Sequence, residues 1–555
     1  MISSSSSKAS AKRAEKENQK QVDLNGIKDS VESISYCSNP VFFQGDDAID
    51  ELGLLPSNYE ELQVQANVGA LDYLYLDMFS PPFQACRDNM RILFSIKPQD
   101  SQIIRPSENN SNAFPSASIE VLRQCRSIDE PRDETRRKSE SWSTLSTNHI
   151  IELAAKYFIH SISGTREDLS AVNHTFSADD AKDIQLVQNL LSCAEKICNR
   201  HYDCASKLLE ECNKVSYSRM NVIQRLVYYF TEALCEKIEH KTGTGKDLFH
   251  NLPHDSLINI SAMAAIYQKL PLSQVIHYTG TQLVVDHVSK CRKVSIIDLN
   301  ICCGVQQMIL LKNLAARSDC PLEYVKITAL AMDSDPTIEE VGVQLRIMAE
   351  SLNINFSFHV ISLEYILDIQ QQNPLDLDPE ETVVVHAAFA LRHMITDENR
   401  LETLMRVIRD INPSLMIIAE AEANVNSPVF VNRFVEALFY YGAFFDYVED
   451  CLENDDERKS LESGFFGPAI RNIVATEGEE RKFRIVGINV WRAFFARFGM
   501  VEIELSKSSI SHVNLVLERF DCRDSCTVCM NGKCLVVSWK ETPMSSLSAW
   551  RFQGM

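Results

Sequence analysis

The sequence predicts an α/β fold: a mostly parallel sheet that ends in an antiparallel hairpin, preceded by an N-terminal helical cap. Three observations carry this expectation. Between residues 294 and 421, short β-branched or apolar runs alternate with helical patterns, as parallel strands joined by crossover helices require. Towards the carboxyl end extended segments follow in quick succession, the last two joined around Asn531-Gly532, a strong two-residue hairpin signal. Ahead of both lies a run of amphipathic helical patterns. A parallel sheet finished in this way is the plan of the methyltransferase-type Rossmann fold.

Taken in order, residues 1–150 read as a largely disordered N-terminal regulatory region. Residues 1–20 are rich in Ser, Lys and Glu, and "DDAIDELGLLPSNYEELQVQANVGALDYLYLDMF" (46–79) mixes acidic and large apolar residues without a core of its own, a composition that folds on a partner. In "DEPRDETRRKSESWSTLS" (129–146) the cluster Arg136, Arg137 and Lys138 precedes Ser139. It reads as a solvated linker, or else as an import signal or phosphorylation-sensitive dock. Residues 151–182 read as a linker, 183–290 as the helical cap and 291–555 as the Rossmann-like core.

In the cap, Val187, Leu191, Ala194 and Cys198 recur at spacings of four, three and four and share one helix face, widened by Leu186, Leu190 and Ile197. "DCASKLLEECNKV" and "NVIQRLVYYFTEALCEKI" continue the habit, which makes a bundle whose apolar face is core, or partly open to a partner helix. In the core, strands are expected at 294–299, 327–333, 356–361, 382–389 and 415–421, with "VGVQLRIMAESL" (341–352) as one of the crossover helices. "VEIEL", "VNLVLERF", "CTVCM" and "CLVVSW" are the expected closing strands.

Composition narrows the function. An apolar fraction of 45% is ordinary for a globular chain, and a formal charge of −21 repels nucleic-acid phosphates over most of the surface. Direct nucleic-acid contact would need a basic face, and scattered charges such as Arg471, Arg481, Lys482 and Arg484 read as a solvated surface instead. The sequence offers neither an apolar run long enough to span a bilayer nor a secretory h-region, so an intracellular chain with mostly reduced cysteines is expected.

Ligands of such a fold bind beyond the carboxyl ends of the strands. Asp298, Asp333, Asp335, His386, Glu420 and Glu422 gather there, and Asp333 at the end of the second strand suits a ribose diol. The first loop argues the other way. A cofactor loop needs several glycines for close backbone approach, whereas "LNICCGVQQ" has only Gly304 and sends Ile301, Cys302 and Cys303 into that space. Asp298, Gly304 and Asp333 therefore stand as candidates for an adenosyl-cofactor site, against a polar cluster that caps helix ends. Cys522, Cys526, Cys529 and Cys534 could be read as a zinc knuckle, but the last two should face one another across the hairpin, so no metal is expected.

Five segments in order resemble the GRAS family of plant transcriptional regulators, over roughly residues 183–555. "LVQNLLSCAEKICNRHYDCASKLLEECNKV" resembles its first leucine-heptad region, and "VSIIDLNICCGVQQMILLKNLAAR" its VHIID segment, with Val294, Ile296, Ile297 and Asp298 retained. "VGVQLRIMAESLNINFSFHVI" resembles the second heptad region. "SPVFVNRFVEALFYYGAFFDYVED" with "FGPAIRNIVATEGEERKFR" resembles the PFYRE segment, and "MSSLSAWRF" the SAW motif with Ser548, Ala549 and Trp550. The chain departs from the family pattern at Ser295, where a histidine is usual, at Gln307, where a tryptophan is usual, and at Pro468.

The resemblance implies a nuclear co-regulator without an enzyme's duty or a cofactor. It would contact DNA-binding transcription factors and other GRAS proteins, with homo- or heterodimers among the possibilities. The heptad positions Val187, Leu191, Leu345 and Leu352 are the implied partner contacts, and Ile297, Asp298, Arg471, Trp491, Trp539 and Trp550 the implied structural motif residues. The alternative is an S-adenosylmethionine-dependent small-molecule methyltransferase. "AIDELGLLPSNYEEL" (48–62) shares only Asp50-Glu51-Leu52 and Leu54 with the receptor-binding signature of the gibberellin-responsive DELLA branch, while the helical region resembles a DELLA-like branch that has lost hormone control.

Overall fold

The computed structural model describes residues 145–163, 177–216, 221–243, 266–331 apart from 268, 336–368 and 375–553. The DELLA-like segment 48–62, the Arg136–Ser139 cluster, Asp333 and Asp335 lie outside the described residues.

Five parallel strands form the heart of the sheet: β1 (Lys293–Asp298), β2 (Tyr324–Ala331), β3 (Phe356–Ser362), β4 (Thr382–Ala388) and β5 (Leu415–Ala421). They lie in the order β3-β2-β1-β4-β5, so the winding reverses between β1 and β4. The sheet continues antiparallel through β9 (Thr542–Phe552), β8 (Cys534–Trp539) and β7 (Cys526–Asn531), and β6 (Met500–Ile503) also pairs with β9. The SAW-like segment is thus an inner strand, with β5 along one side and β8 and β6 sharing the other.

Period-2 side-chain alternation sorts each strand between two cores. Leu415, Ile417 and Ala419 of β5 join the larger core with the cap helices, and Met416 and Ile418 join the smaller one with Trp491, Phe494, Phe495 and Trp550. Because both faces are covered, the inner strands read as unbroken apolar runs, which is why they were legible.

The cap comprises α1 (Thr147–Ser163), α2 (Ala178–Cys198), α3 (Tyr202–Ser216) and α4 (Val222–Thr242). α2 starts at the cap residue Ser177, whose hydroxyl accepts from Asp180 N at 3.0 Å. α1 falls largely within the stretch read as linker, and its buried Ile150, Ile151, Ala154, Ala155 and Phe158 make it part of the larger core. Its Thr147 hydroxyl donates to Asp446 at 2.9 Å, which anchors the helix start to α10 (Phe430–Cys451). Before β1 the chain adds α5 (Pro271–His287), and between successive parallel strands run α6 (Val305–Ala315), α7 (Pro336–Ser351), α8 (Leu363–Asp368) and α9 (Glu398–Ile411). After α10 come α11 (Asp455–Leu461), α12 (Gly467–Val474), α13 (Ile488–Ala496) and α14 (Lys507–Leu517).

Two expectations are corrected here. "VNLVLERF" is the end of α14, because Ser506 caps its start by accepting from Ser509 N at 3.1 Å, and Val513 and Val516 are buried at helical spacing. In the β7–β8 hairpin Cys534 pairs with Asn531, while Cys529 pairs with Val536. The loop is Gly532-Lys533, with Gly532 at φ +61°, so the two cysteines are out of register.

Candidate functional site at the carboxyl ends of the parallel strands

Asp298 ends β1 at the switch point and is wholly buried. Its Oδ1 accepts from Asn300 N at 2.9 Å, which turns the chain out of the strand. Its Oδ2 accepts from Gln307 Nε2 on α6 and lies 3.0 Å from His386 Nδ1 on β4. The side chain of Asn300 crosses to donate to Ala388 O at 2.8 Å. All of this ties the first loop to β4.

Gly304 stands at the start of α6 with φ +72°, a left-handed conformation natural to glycine. A Cβ here would lie 2.4 Å from Val341 Cγ1, so the missing side chain admits α7 rather than a ligand. Cys302, also at positive φ, and Cys303 fill the loop and are half-buried.

The carboxylates at and just beyond the end of β5 are engaged in the same manner. Glu420 accepts from Leu391 N at 2.9 Å and Arg392 N at 3.3 Å, the start of a short 3-10 turn. Burial, opposed by the nearby Arg392 charge, pushes its carboxyl up to about 7. Glu422 accepts from Ile488 N at 3.1 Å at the start of α13, and its Oε1 sits 2.8 Å from where a Cβ on Gly487 would stand. His277 on α5 shares a 2.8 Å hydrogen bond with Gln306 and is held neutral by burial, its pKa pushed down to about 4.

Below the loop, Thr281, Val284, Ile296, Gln306, Gln307, Leu310 and His386 line a cavity with room for about one water molecule. The hydroxyl of Thr281 and Oε1 of Gln307 have no protein partner among the described residues, which is the chemistry a bridging water satisfies. Among the described residues, then, the polar groups at the strand ends hold the chain's own loops and helix starts. Gln307 was a departure from the family pattern, and here it is a donor to Asp298. Nothing in its one-letter neighbourhood showed that.

The implied partner contacts are placed differently from expectation. Val187, Leu191 and Leu345 are at most 3% exposed and belong to the larger core, and Leu352 packs against it. Val187, Leu191 and Leu345 are therefore packing residues worth about 2 kcal/mol each, and the partly buried Leu352 contributes less. The heptad stripe marks the inner face, as it does in most globular helices. On α7 the outward face instead carries Val343 and Ile347, 47% and 56% exposed and one turn apart.

The implied motif residues are structural in their contacts. Ile297 lies in the smaller core. Trp491 stacks on Phe495 at 5.6 Å, and Trp550 meets the same ring at 4.9 Å. Trp539 Nε1 donates to Asp446 at 2.7 Å.

Arg471 is a rivet between cap and core, its Nε 2.6 Å from Glu236 on α4. Its neighbours in that junction were not anticipated. Arg225 of α4 meets Glu462 at 2.8 Å and Glu449 at 2.5 Å, and Glu477 joins Lys237 at 2.5 Å to Arg433 at 2.8 Å. Arg481 and Arg484 are buried and donate to Asn426, to Val425 O and to Gly478 O, so neither belongs to a basic face. No described helix is long and apolar enough to cross a membrane.

These features define a Rossmann-like domain whose switch point is braced by its own side chains and whose cap is clamped by ion pairs. The pattern of the GRAS domain family matches residues 186–551, and the chain belongs to that family, whose members are plant transcriptional regulators that interact with proteins. Among curated relatives, the DELLA protein RGL1 of Arabidopsis thaliana is 29% identical over 66% of this chain and 70% of its own length. The DELLA protein GAI of Arabidopsis thaliana is 25% identical over 70% and 72%, and the DELLA protein GAI1 of Vitis vinifera 27% over 66% and 62%. The crystal structure of SCL7 in Oryza sativa shares the fold, with a TM-score of 0.58 at 23% identity over 66% of this chain and 99% of that one.

Proposed function

We propose that this protein is a nuclear transcriptional co-regulator that works by binding DNA-binding transcription factors and other GRAS proteins. The observation that carries the reading is the family match across residues 186–551. It is supported by the state of the switch point, where Asp298, Glu420 and Glu422 are each engaged by hydrogen bonds from within the chain. The net charge of −21 suits a co-regulator that leaves phosphate contacts to its partner, as does the burial of Arg481 and Arg484. The branch within the family is DELLA-like, and residues 1–150 tune localisation or activity.

The outward pair Val343 and Ile347 on the second heptad helix gives the partner an apolar foothold that the buried Leu345 cannot. The test is affinity of the full-length chain for a panel of DNA-binding transcription factors and GRAS proteins, with and without Val343→Asp and Ile347→Asp together. Loss of at least about tenfold with an unchanged melting temperature is expected. Full affinity in the double variant would refute the surface, and no binding by the unaltered chain would refute the function.

A further inference from the structure

Three thiols meet where the carboxyl end of α10 touches the approach to β7. Cys451, the last residue of α10, has its Sγ 3.1 Å from that of Cys522, which sits in the short 3-10 turn Asp521–Ser525. Cys526, the first residue of β7, is a second thiol close enough to act on Cys522. All three are half-buried, and the flanking Asp521, Arg523 and Asp524 are not buried, so a small solute has access.

The arrangement has the parts of a redox pair. The contact with Cys451, and after it that with Cys526, pulls the Cys522 pKa down, while the same contacts push Cys451 and Cys526 up. An accessible sulfur with thiolate character beside a second thiol is the pattern of oxidation-sensitive cysteines. Closing the 3.1 Å gap to a bond of about 2.05 Å needs a shift of only about 1 Å.

We propose that Cys451 and Cys522 form a reversible disulfide in response to hydroperoxides, stapling the end of α10 to the closing hairpin. The Cys522 thiolate attacks one peroxide oxygen, so the O–O bond breaks, an S–O bond forms and the other oxygen leaves as alcohol or water after taking a proton from solvent. The Cys451 sulfur then attacks the sulfenic sulfur. The S–S bond forms, the S–O bond breaks, and hydroxide leaves as water with the thiol proton. The sulfur pair loses two electrons and the peroxide gains two; a cellular dithiol reverses the step. In a reducing compartment such a bond is transient, which suits a sensor. The link would close a loop between residues 71 apart in sequence, long enough to restrict the unfolded chain strongly.

The test treats the full-length chain with hydrogen peroxide, alkylates the remaining thiols and maps peptides without reduction. The expected product joins the peptides of Cys451 and Cys522 with loss of two hydrogens. It persists in Cys526→Ser, disappears in Cys451→Ser, and raises the melting temperature of the unaltered chain by roughly 5 °C. Cross-links confined to Cys522 and Cys526, or oxidation of exposed Cys529 with the Cys451 and Cys522 thiols still alkylated, would overturn the proposal. Melting of each serine variant under reducing conditions separates a lost bond from a lost fold.

Discussion

Asp298 and His386 are register partners on adjacent strands, and their side chains meet at 3.0 Å where the sheet changes winding direction. In an open α/β sheet this is the ligand position. Here the same carboxylate also accepts from Asn300 N and Gln307, so it is an anchor with three attachments. Replacing Asp298 with Ala leaves these buried donors unpaired, and about 3 kcal/mol of stability should be lost. Chemical denaturation measures it; a loss under about 1 kcal/mol would show that the anchor is unimportant.

Gly304→Ala meets two obstacles, a positive φ and Val341 Cγ1 at 2.4 Å. The expected cost is about 2–3 kcal/mol. Adding Val341→Ala should recover only the steric part, so a double-mutant cycle with no coupling would contradict the close approach of α7.

Cap and core are clamped by buried charge. Arg225→Ala strands Glu462, a carboxylate almost wholly buried and 2.8 Å from the guanidinium, and a destabilisation of about 3–5 kcal/mol is expected. Arg225→Ala with Glu462→Gln together should cost less than the first change alone. Equal losses in denaturation would mean that the pair contributes nothing particular.

Glu420 gives stability a pH dependence of defined sign. Its folded pKa of about 7 lies above the ordinary 4.5, so the native state holds a proton that the unfolded chain releases in between. Its contribution is full below pH 4.5 and is lost as pH rises towards 7. His277, with its pKa down at about 4, acts in the opposite sense, and its contribution is lost as pH falls from 6.5 towards 4. Glu420→Gln removes the first effect alone. Between pH 4.5 and 7 the variant should therefore gain on the unaltered protein by roughly 2 kcal/mol. Parallel stability curves would contradict a protonated Glu420.

The sheet was legible because its strands are buried on both faces: Leu415–Ala421 appears as a strand in sequence and in structure with the same bounds. Lys507–Leu517 was misread because "VNLVLERF" is short, apolar and β-branched, and only its Ser506 cap separates helix from strand. The heptad stripe of α2 correctly showed that one face is buried, but a pattern on one helix does not say what covers it. In the fold, residues of α1, α3 and α4 do. Asp298 and His386 were both visible as strand-end residues. Their meeting depends on β4 lying beside β1, 88 positions along the chain, which only the topology supplies. Gln307 was noticed as an unusual residue, yet its contact with Asp298 needs the pitch of α6 to aim it.

The measurement that bears most directly on the central claim is calorimetric titration of the full-length chain with S-adenosylmethionine and its demethylated product. The full chain is used because α1, outside the region resembling the family, is part of the core. A switch point braced by its own residues predicts no saturable heat and no shift in melting temperature at millimolar ligand. Micromolar binding that Asp298→Asn abolishes would contradict it, and would make the loop at 298–304 a working site.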